Sequence, residues 1–234
     1  MEINGSVCLV TGANRGLGRA YVGALLEHGA RKVYAAVRRP ESSDVPGVVP
    51  VRLDITRPDD VVRAAAECAD VTLLVNNAGL VHGNQPLDAG ADVQAREEME
   101  TNYFGTMAMC RAFAPVLEAN GGGALVNVLS VASWVAPPVN GTYSASKAAE
   151  WLLTNAVRRA LRPRGILVVG VHASFIDTDM SASIPASAKI SADSVARQTL
   201  EAIEAGHEEV LADERTRHVK SALPNDLALL YPES

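Results

Sequence analysis

The chain contains no run of about 18 apolar residues, so a transmembrane helix is not expected. Aromatic residues make up only 4%, too few for the stacking platforms that hold single-stranded nucleic acid. Basic residues are the minority, with Lys and Arg numbering 21 against 27 Asp and Glu, for a net charge of -6. No basic stripe is visible, which argues against nucleic acid as a partner. The first residues, Met1-Glu2-Ile3-Asn4-Gly5, have neither the basic nor the apolar region of a secretory signal; a cytoplasmic location is expected. Cysteines are scarce: Cys8, Cys68 and Cys110 are odd in number and far apart, and read as buried free thiols. No Cys/His cluster has metal-ligand spacing, so no metal is expected.

What the chain does have is apolar bulk and alternation. Of its 234 residues 48% are hydrophobic, enough for a sizeable core. Val7 to Val10 is a short apolar run that ends at Thr11-Gly12, as a buried parallel strand does. Leu17 to His28 has helical periodicity and meets Gly29 at its end. Strands are expected at 32–37, 48–53, 71–75, 124–129, 166–171 and 209–211. Helices are expected from Pro58 to Cys68 with Thr56 as cap, over one long stretch 91–117, over 142–161 and over 193–205, with a last helical stretch after Asp213. This alternation is the signature of an α/β fold. We expect a single Rossmann-type, doubly wound sheet of about seven mostly parallel strands with helices on both faces, in one domain spanning 1–234.

The turn Thr11-Gly12-Ala13-Asn14-Arg15-Gly16-Leu17-Gly18 joins the first strand to the first helix. Glycines there allow positive φ and close phosphate approach, and the helix start offers free N–H groups to a pyrophosphate. The readable strand before and helix after are the context that such a motif requires. NAD sites usually place an acid about 20 residues past the glycines, for the ribose 2′-hydroxyl. This chain places Arg38 and Arg39 there, with no acid before Glu41. A guanidinium suits a 2′-phosphate, so NADP is the expected cofactor, and Arg15 is a second candidate for that phosphate.

Tyr143 and Lys147, four apart on an expected helix, share one face. A nearby ammonium favours phenolate and lets the pair exchange a proton near neutrality. Ser130 lies just past a strand, Asn76-Asn77-Ala78-Gly79 follows another, and Asn102 sits in the long helix. In a parallel sheet the carboxyl ends of the strands open onto one crevice, so these segments converge.

With these motifs at these spacings, from Ser6 to about Asp213, the sequence resembles the short-chain dehydrogenase/reductase family, and within it NADP-preferring carbonyl reductases. The resemblance implies a general acid/base role for Tyr143 and a hydrogen bond from Ser130 to the substrate oxygen. It implies that Lys147 lowers the pKa of Tyr143 and holds the nicotinamide ribose, and that Asn102 positions a water relaying protons from Lys147. It implies cofactor contacts from Gly12, Asn14, Arg15, Gly16, Leu17, Gly18 and Arg38, from Asp54 and Ile55 beside the adenine, and from Asn77, Ala78 and Gly79. Ile176 and Thr178 complete that set beside the nicotinamide carboxamide and phosphates, and Tyr143 and Lys147 also touch the cofactor. A homo-oligomer, dimer or tetramer, is implied as well.

Departures accompany the match. The family usually shows Pro-Gly after the sixth strand, where this chain has His172-Ala173-Ser174, and the family's C-terminal Val-Asp-Gly-Gly is missing. The lid, about 179–192, is short. The expected substrate wall is apolar, from Trp134, Val135 and Ala173 with Ser130 and His82, and contains no Arg or Lys for a carboxylate or phosphate. Both Trp134 and His82 retain plainer readings, as core packing and as a loop residue. A hydrophobic ketone or aldehyde is therefore expected, reduced with NADPH. Two alternatives stay open: an NAD-dependent alcohol dehydrogenase, and a non-catalytic regulator that senses NADP(H).

Overall fold

The strand Val7–Thr11 (β1) is buried throughout, and its side chains go alternately to two separate cores. Cys8 and Val10 join one, Val7 and Leu9 the other. Such double coverage is why the strand reads as a continuous apolar run. The computed structural model describes residues 1–40 and 46–224. Glu41, the first acid after Arg38, lies outside these residues, as does the 225–234 end of the expected domain.

In chain order the remaining elements are α1 (Gly16–Glu27), β2 (Lys32–Val37), β3 (Val48–Arg52), α2 (Pro58–Glu67), β4 (Leu73–Asn76), α3 (Ala91–Glu98), α4 (Thr106–Ala119), β5 (Gly123–Val128), α5 (Gly141–Leu161), β6 (Ile166–His172), α6 (Ala192–Ala205), β7 (Glu209–Leu211) and α7 (Glu214–Ala222). The seven strands form one sheet in the order β3-β2-β1-β4-β5-β6-β7. Every pairing is parallel. The order reverses between β1 and β4, which opens a crevice at their carboxyl ends. On one face α1 and α6 bury Tyr21, Leu25, Leu200 and Ile203 against Val10, Val75 and Val126. On the other, Val61, Met109, Phe113 and Leu117 cover Leu9, Leu74 and Leu125. Each such side chain stabilises the fold by roughly 1.5–3 kcal/mol.

Several boundaries differ from the sequence reading, each for a local reason. Thr56 does not cap α2; its N–H and hydroxyl both donate to the Asp54 carboxylate, and Arg57 takes the cap position. The fourth strand starts at Leu73, because the Val71 N–H turns back to the Cys68 carbonyl. The long helix is α3 and α4 joined by a π-helical turn, Met99–Gly105. There the helix meets the loop after β3: a Cβ on Gly105 would lie 2.8 Å from Ile55 Cγ1. The segment 179–192 contains two 3-10 turns, pinned where Asp177 and Ile190 exchange backbone bonds with Ile190 and Phe175. Asp213 caps α7 by accepting from the Thr216 N–H. Among the described residues no helix is long and apolar enough to cross a membrane.

Candidate active site

The turn after β1 is shaped by close backbone approach. Gly16 has φ +51°, and a Cβ there would press on the Thr178 side chain at 3.0 Å. A Cβ on Gly18 would sit 2.1 Å from the Gly12 carbonyl oxygen, so only glycine fits. The buried Thr11 hydroxyl accepts from the N–H groups of Asn77 and Ala78, at 2.9 and 3.0 Å. The Asn77 amide donates to the Thr11 carbonyl at 2.8 Å. These bonds lock the segment after β4 onto the glycine turn. Arg38 and Arg39, past the end of β2, are exposed, and among the described residues neither forms an ion pair. Arg15 is also exposed and makes one long contact to Asp179, at 3.4 Å. Asp54 lies beside β3 with one carboxylate oxygen committed to Thr56, and Ile55 is buried.

Across the crevice, Ser130 lies two residues past β5 and caps the short turn Val131–Ser133. Its hydroxyl oxygen accepts from the Ala132 N–H at 3.1 Å. The cap uses a lone pair of that oxygen, and the same hydroxyl is hydrogen-bonded to the Tyr143 phenol. The first turn of α5 carries Tyr143, half-buried, and Lys147, buried at 5% exposure. The Lys147 ammonium lies 6.0 Å from the Tyr143 ring centre. It donates to the Val128 carbonyl at 2.9 Å and to the Glu150 carboxylate at 2.6 Å, which leaves its third N–H.

Desolvation pushes the Tyr143 phenol above its ordinary range; Lys147 and Ser130 pull it down, while Glu150 and Glu98 push it up. Burial works against the charge on Lys147, but the Glu150 carboxylate and Tyr143 together more than offset this and hold the ammonium above its usual range.

Asn102 lies in the π-helical turn and is wholly buried. Both of its amide hydrogens are in use, to the Leu80 carbonyl at 2.8 Å and the Ser146 hydroxyl at 2.9 Å. Its carbonyl accepts from the Leu80 N–H at 2.8 Å. The side chain thus ties the loop after β4 to α5, and its donors are not available to a water. Gly79 brings this loop close to the pair: a Cβ there would lie 3.3 Å from Asn102 Oδ1 and 3.8 Å from Lys147 Nζ.

The expected substrate wall is rearranged. Ala173 is 3% exposed and packs in the core among Val171 and Val210 rather than facing the crevice. Trp134 stacks on His172, ring centres 3.9 Å apart, with the Lys220 ammonium of α7 4.7 Å from its centre. His172 in turn reaches the Ser130 carbonyl through Nδ1 at 3.1 Å. Burial pushes its pKa down to about 4, so it is neutral and the Nδ1 proton is the donor. Beside this stack the Ser174 N–H is held by Asp213 at 2.7 Å. His82 pairs with Glu97 at 2.8 Å. Val135 is half-buried, and Val139 and Met180 are exposed apolar residues. The sequence reading missed Thr11, Glu98 and Glu150. Glu150 carried a signal, an acid three residues past Lys147 on the same helix face.

The chain and its fold have counterparts among known proteins. Over 191 residues the chain is 34% identical to carbonyl reductase [NADPH] 2 of Sus scrofa, covering 79% of this chain and 77% of that protein. It is 30% identical over 198 residues to dehydrogenase/reductase SDR family member 7B of Bos taurus, covering 76% of this chain but spanning only 60% of the length of that relative. A short chain dehydrogenase from Burkholderia cenocepacia J2315, solved in complex with NADP, superposes with a TM-score of 0.93 at 45% identity, covering 99% of this chain and 98% of that one. The family model described as short chain dehydrogenase matches residues 6–189, and the chain belongs to that family of oxidoreductases.

Proposed function

We propose that this protein reduces a hydrophobic ketone or aldehyde with NADPH. The carrying observation is the buried Lys147 ammonium 6.0 Å from the Tyr143 ring, with the Ser130 hydroxyl hydrogen-bonded to the Tyr143 phenol. The residues fit a dinucleotide: Gly12, Gly16 and Gly18 let the turn fold tightly against Ala78, Thr178 and its own carbonyl, with Gly12 and Gly16 at positive φ, at the start of α1 where N–H groups are free for a pyrophosphate. The α1 N-terminus, Asn14 and Leu17 would hold the pyrophosphate, together with Thr178. Asp54, Ile55, Asn77, Ala78 and Gly79 would hold the adenosine, and Ile176 the nicotinamide. Arg38, exposed and without an acid beside it on β2, suits a 2′-phosphate. The likeness to an NADP-bound structure and to a carbonyl reductase supports the same reading.

When bound, the reduced nicotinamide supplies the hydride. Ser130, hydrogen-bonded to the Tyr143 phenol without substrate, would turn its hydroxyl proton to the substrate oxygen as charge grows there. Tyr143 gives up its phenolic proton to that oxygen, and the Lys147 ammonium steadies the phenolate left behind. The exposed apolar residues Val139 and Met180 favour an apolar substrate body. The test follows reduced-nicotinamide absorbance with aromatic and aliphatic ketones and aldehydes, using NADPH and NADH in turn. Turnover with NADPH preferred is expected. Preference for NADH overturns the reading of Arg38, and no turnover on any carbonyl or alcohol overturns catalysis in favour of a cofactor sensor.

A further inference from the structure

Glu150 is a carboxylate buried to 1% exposure on the inner face of α5. An acid there is unfavourable unless its charge is matched. It is matched on one side only: one oxygen accepts from Lys147 Nζ at 2.6 Å, the other from the Thr106 hydroxyl of α4 at 3.3 Å. The Glu150 carbonyl accepts from Thr154, whose hydroxyl also takes the Asn127 amide of β5. The side chain is thus held from α4 and from its own helix, with Lys147 as its sole cationic neighbour among the described residues.

Resting on the reading of Tyr143 as the proton donor, we infer that Glu150 is a positioning residue: it anchors the Lys147 ammonium and cancels part of its charge, so that the site keeps Tyr143 protonated and ready for reduction. Three N–H bonds are available to Lys147, and Glu150 with Val128 fixes two, which orients the third. A lone buried ammonium beside Tyr143 would pull strongly toward phenolate; an ammonium already paired pulls less. The other titratable groups around this cluster are few. Cys110 of α4 faces Glu150, its thiol pushed up to about 12 by burial and so neutral. Glu98, at the end of α3, acts on Tyr143 in the same direction as Glu150.

The test compares pH profiles of kcat/KM for alcohol oxidation in wild type, Glu150→Gln and Glu150→Asp. Glutamine keeps the shape and the bond to Thr106 but removes the charge. The inflection assigned to Tyr143 is expected to move down by about one pH unit in Glu150→Gln, and to stay near wild type in Glu150→Asp. A second readout needs no turnover: the ultraviolet phenolate absorbance of each protein minus that of its Tyr143→Phe counterpart, titrated without cofactor, is expected to shift likewise. An unmoved inflection in Glu150→Gln, or equal movement in both variants, overturns the inference. Should Glu150→Gln not fold, Thr106→Val loosens the carboxylate while keeping both charges. It is expected to move the phenolate titration in the same direction by a smaller step, and no movement overturns the inference. Activity that survives Tyr143→Phe in otherwise wild-type protein defeats the reading of the site itself, a separate outcome.

Discussion

The two sides of the crevice are built on different physics. On the β1–β3 side the structure works with backbone. Glycines let main chains touch, as Gly18 does against the Gly12 carbonyl, and the charges, Arg38 and Arg39, stay in water. On the β5–α5 side it works with buried charge. Lys147 and Glu150 sit side by side in the interior, and Glu98 is wholly buried with one oxygen unpartnered. The backbone side is suited to hold a ligand by shape and by dipoles that need no tuning. The charged side holds groups whose proton occupancy depends on their neighbours, which is what proton transfer requires.

Perturbing one side at a time separates the two. Tyr143→Phe is expected to lower kcat by about 10²–10⁴-fold while the dissociation constant for NADPH, read by fluorescence titration, changes little. Loss of cofactor binding in that variant would show the sides are not separable. The next largest effect concerns the His172 stack. Its folded pKa of about 4 lies below the ordinary 6.5, so the unfolded chain binds a proton that the folded one refuses. Stability contributed by neutral His172 is therefore complete above pH 6.5 and is lost as pH falls toward 4, by about 3 kcal/mol. His172→Gln is expected to flatten the fall in thermal midpoint between those pH values relative to wild type; parallel curves would remove His172 as the cause.

On the backbone side, Gly18→Ala must displace the Gly12 carbonyl and is expected to cost roughly 1–3 kcal/mol. It should weaken NADPH binding but leave the pH inflection of kcat/KM where it is. Arg38→Asp is the mildest change to the protein itself. The NADPH-over-NADH ratio of kcat/KM is expected to fall about tenfold or more, as charge-assisted bonds are worth roughly 1.5–3 kcal/mol, with stability unchanged. An unaltered ratio would move the 2′-phosphate to Arg15 or Arg39.

The same contrast explains what could be read without coordinates. Backbone constraints leave local marks. The glycines of 12–18, the apolar run of β1 and the Tyr143–Lys147 spacing all lie within a few residues, so the sheet, its helices and the nearness of Lys147 to Tyr143 were legible. The charged side draws partners from far along the chain. Thr106 and Glu150, like Asn102 and Ser146, are separated by 44 positions, and no period or motif links them. The commitment of the Asn102 amide and the burial of Ala173 were hidden for the same reason. Trp134 invited a reading as pocket wall because its partners, His172 and Lys220, come from β6 and α7. The π-helical turn was also invisible, because the apolar spacing of 91–117 runs through it unbroken.

The contact of Ile55 with Gly105 gives the two sides a shared hinge pin. Ile55 borders the proposed adenine seat, and Gly105 lies one turn from Asn102, whose amide holds the loop carrying Gly79 against Lys147. Close-packed interiors transmit displacement rather than absorb it. A displacement of the 54–56 loop would therefore press on the turn that carries Asn102 and, through its two bonds to Leu80, on the loop that brings Gly79 to Lys147.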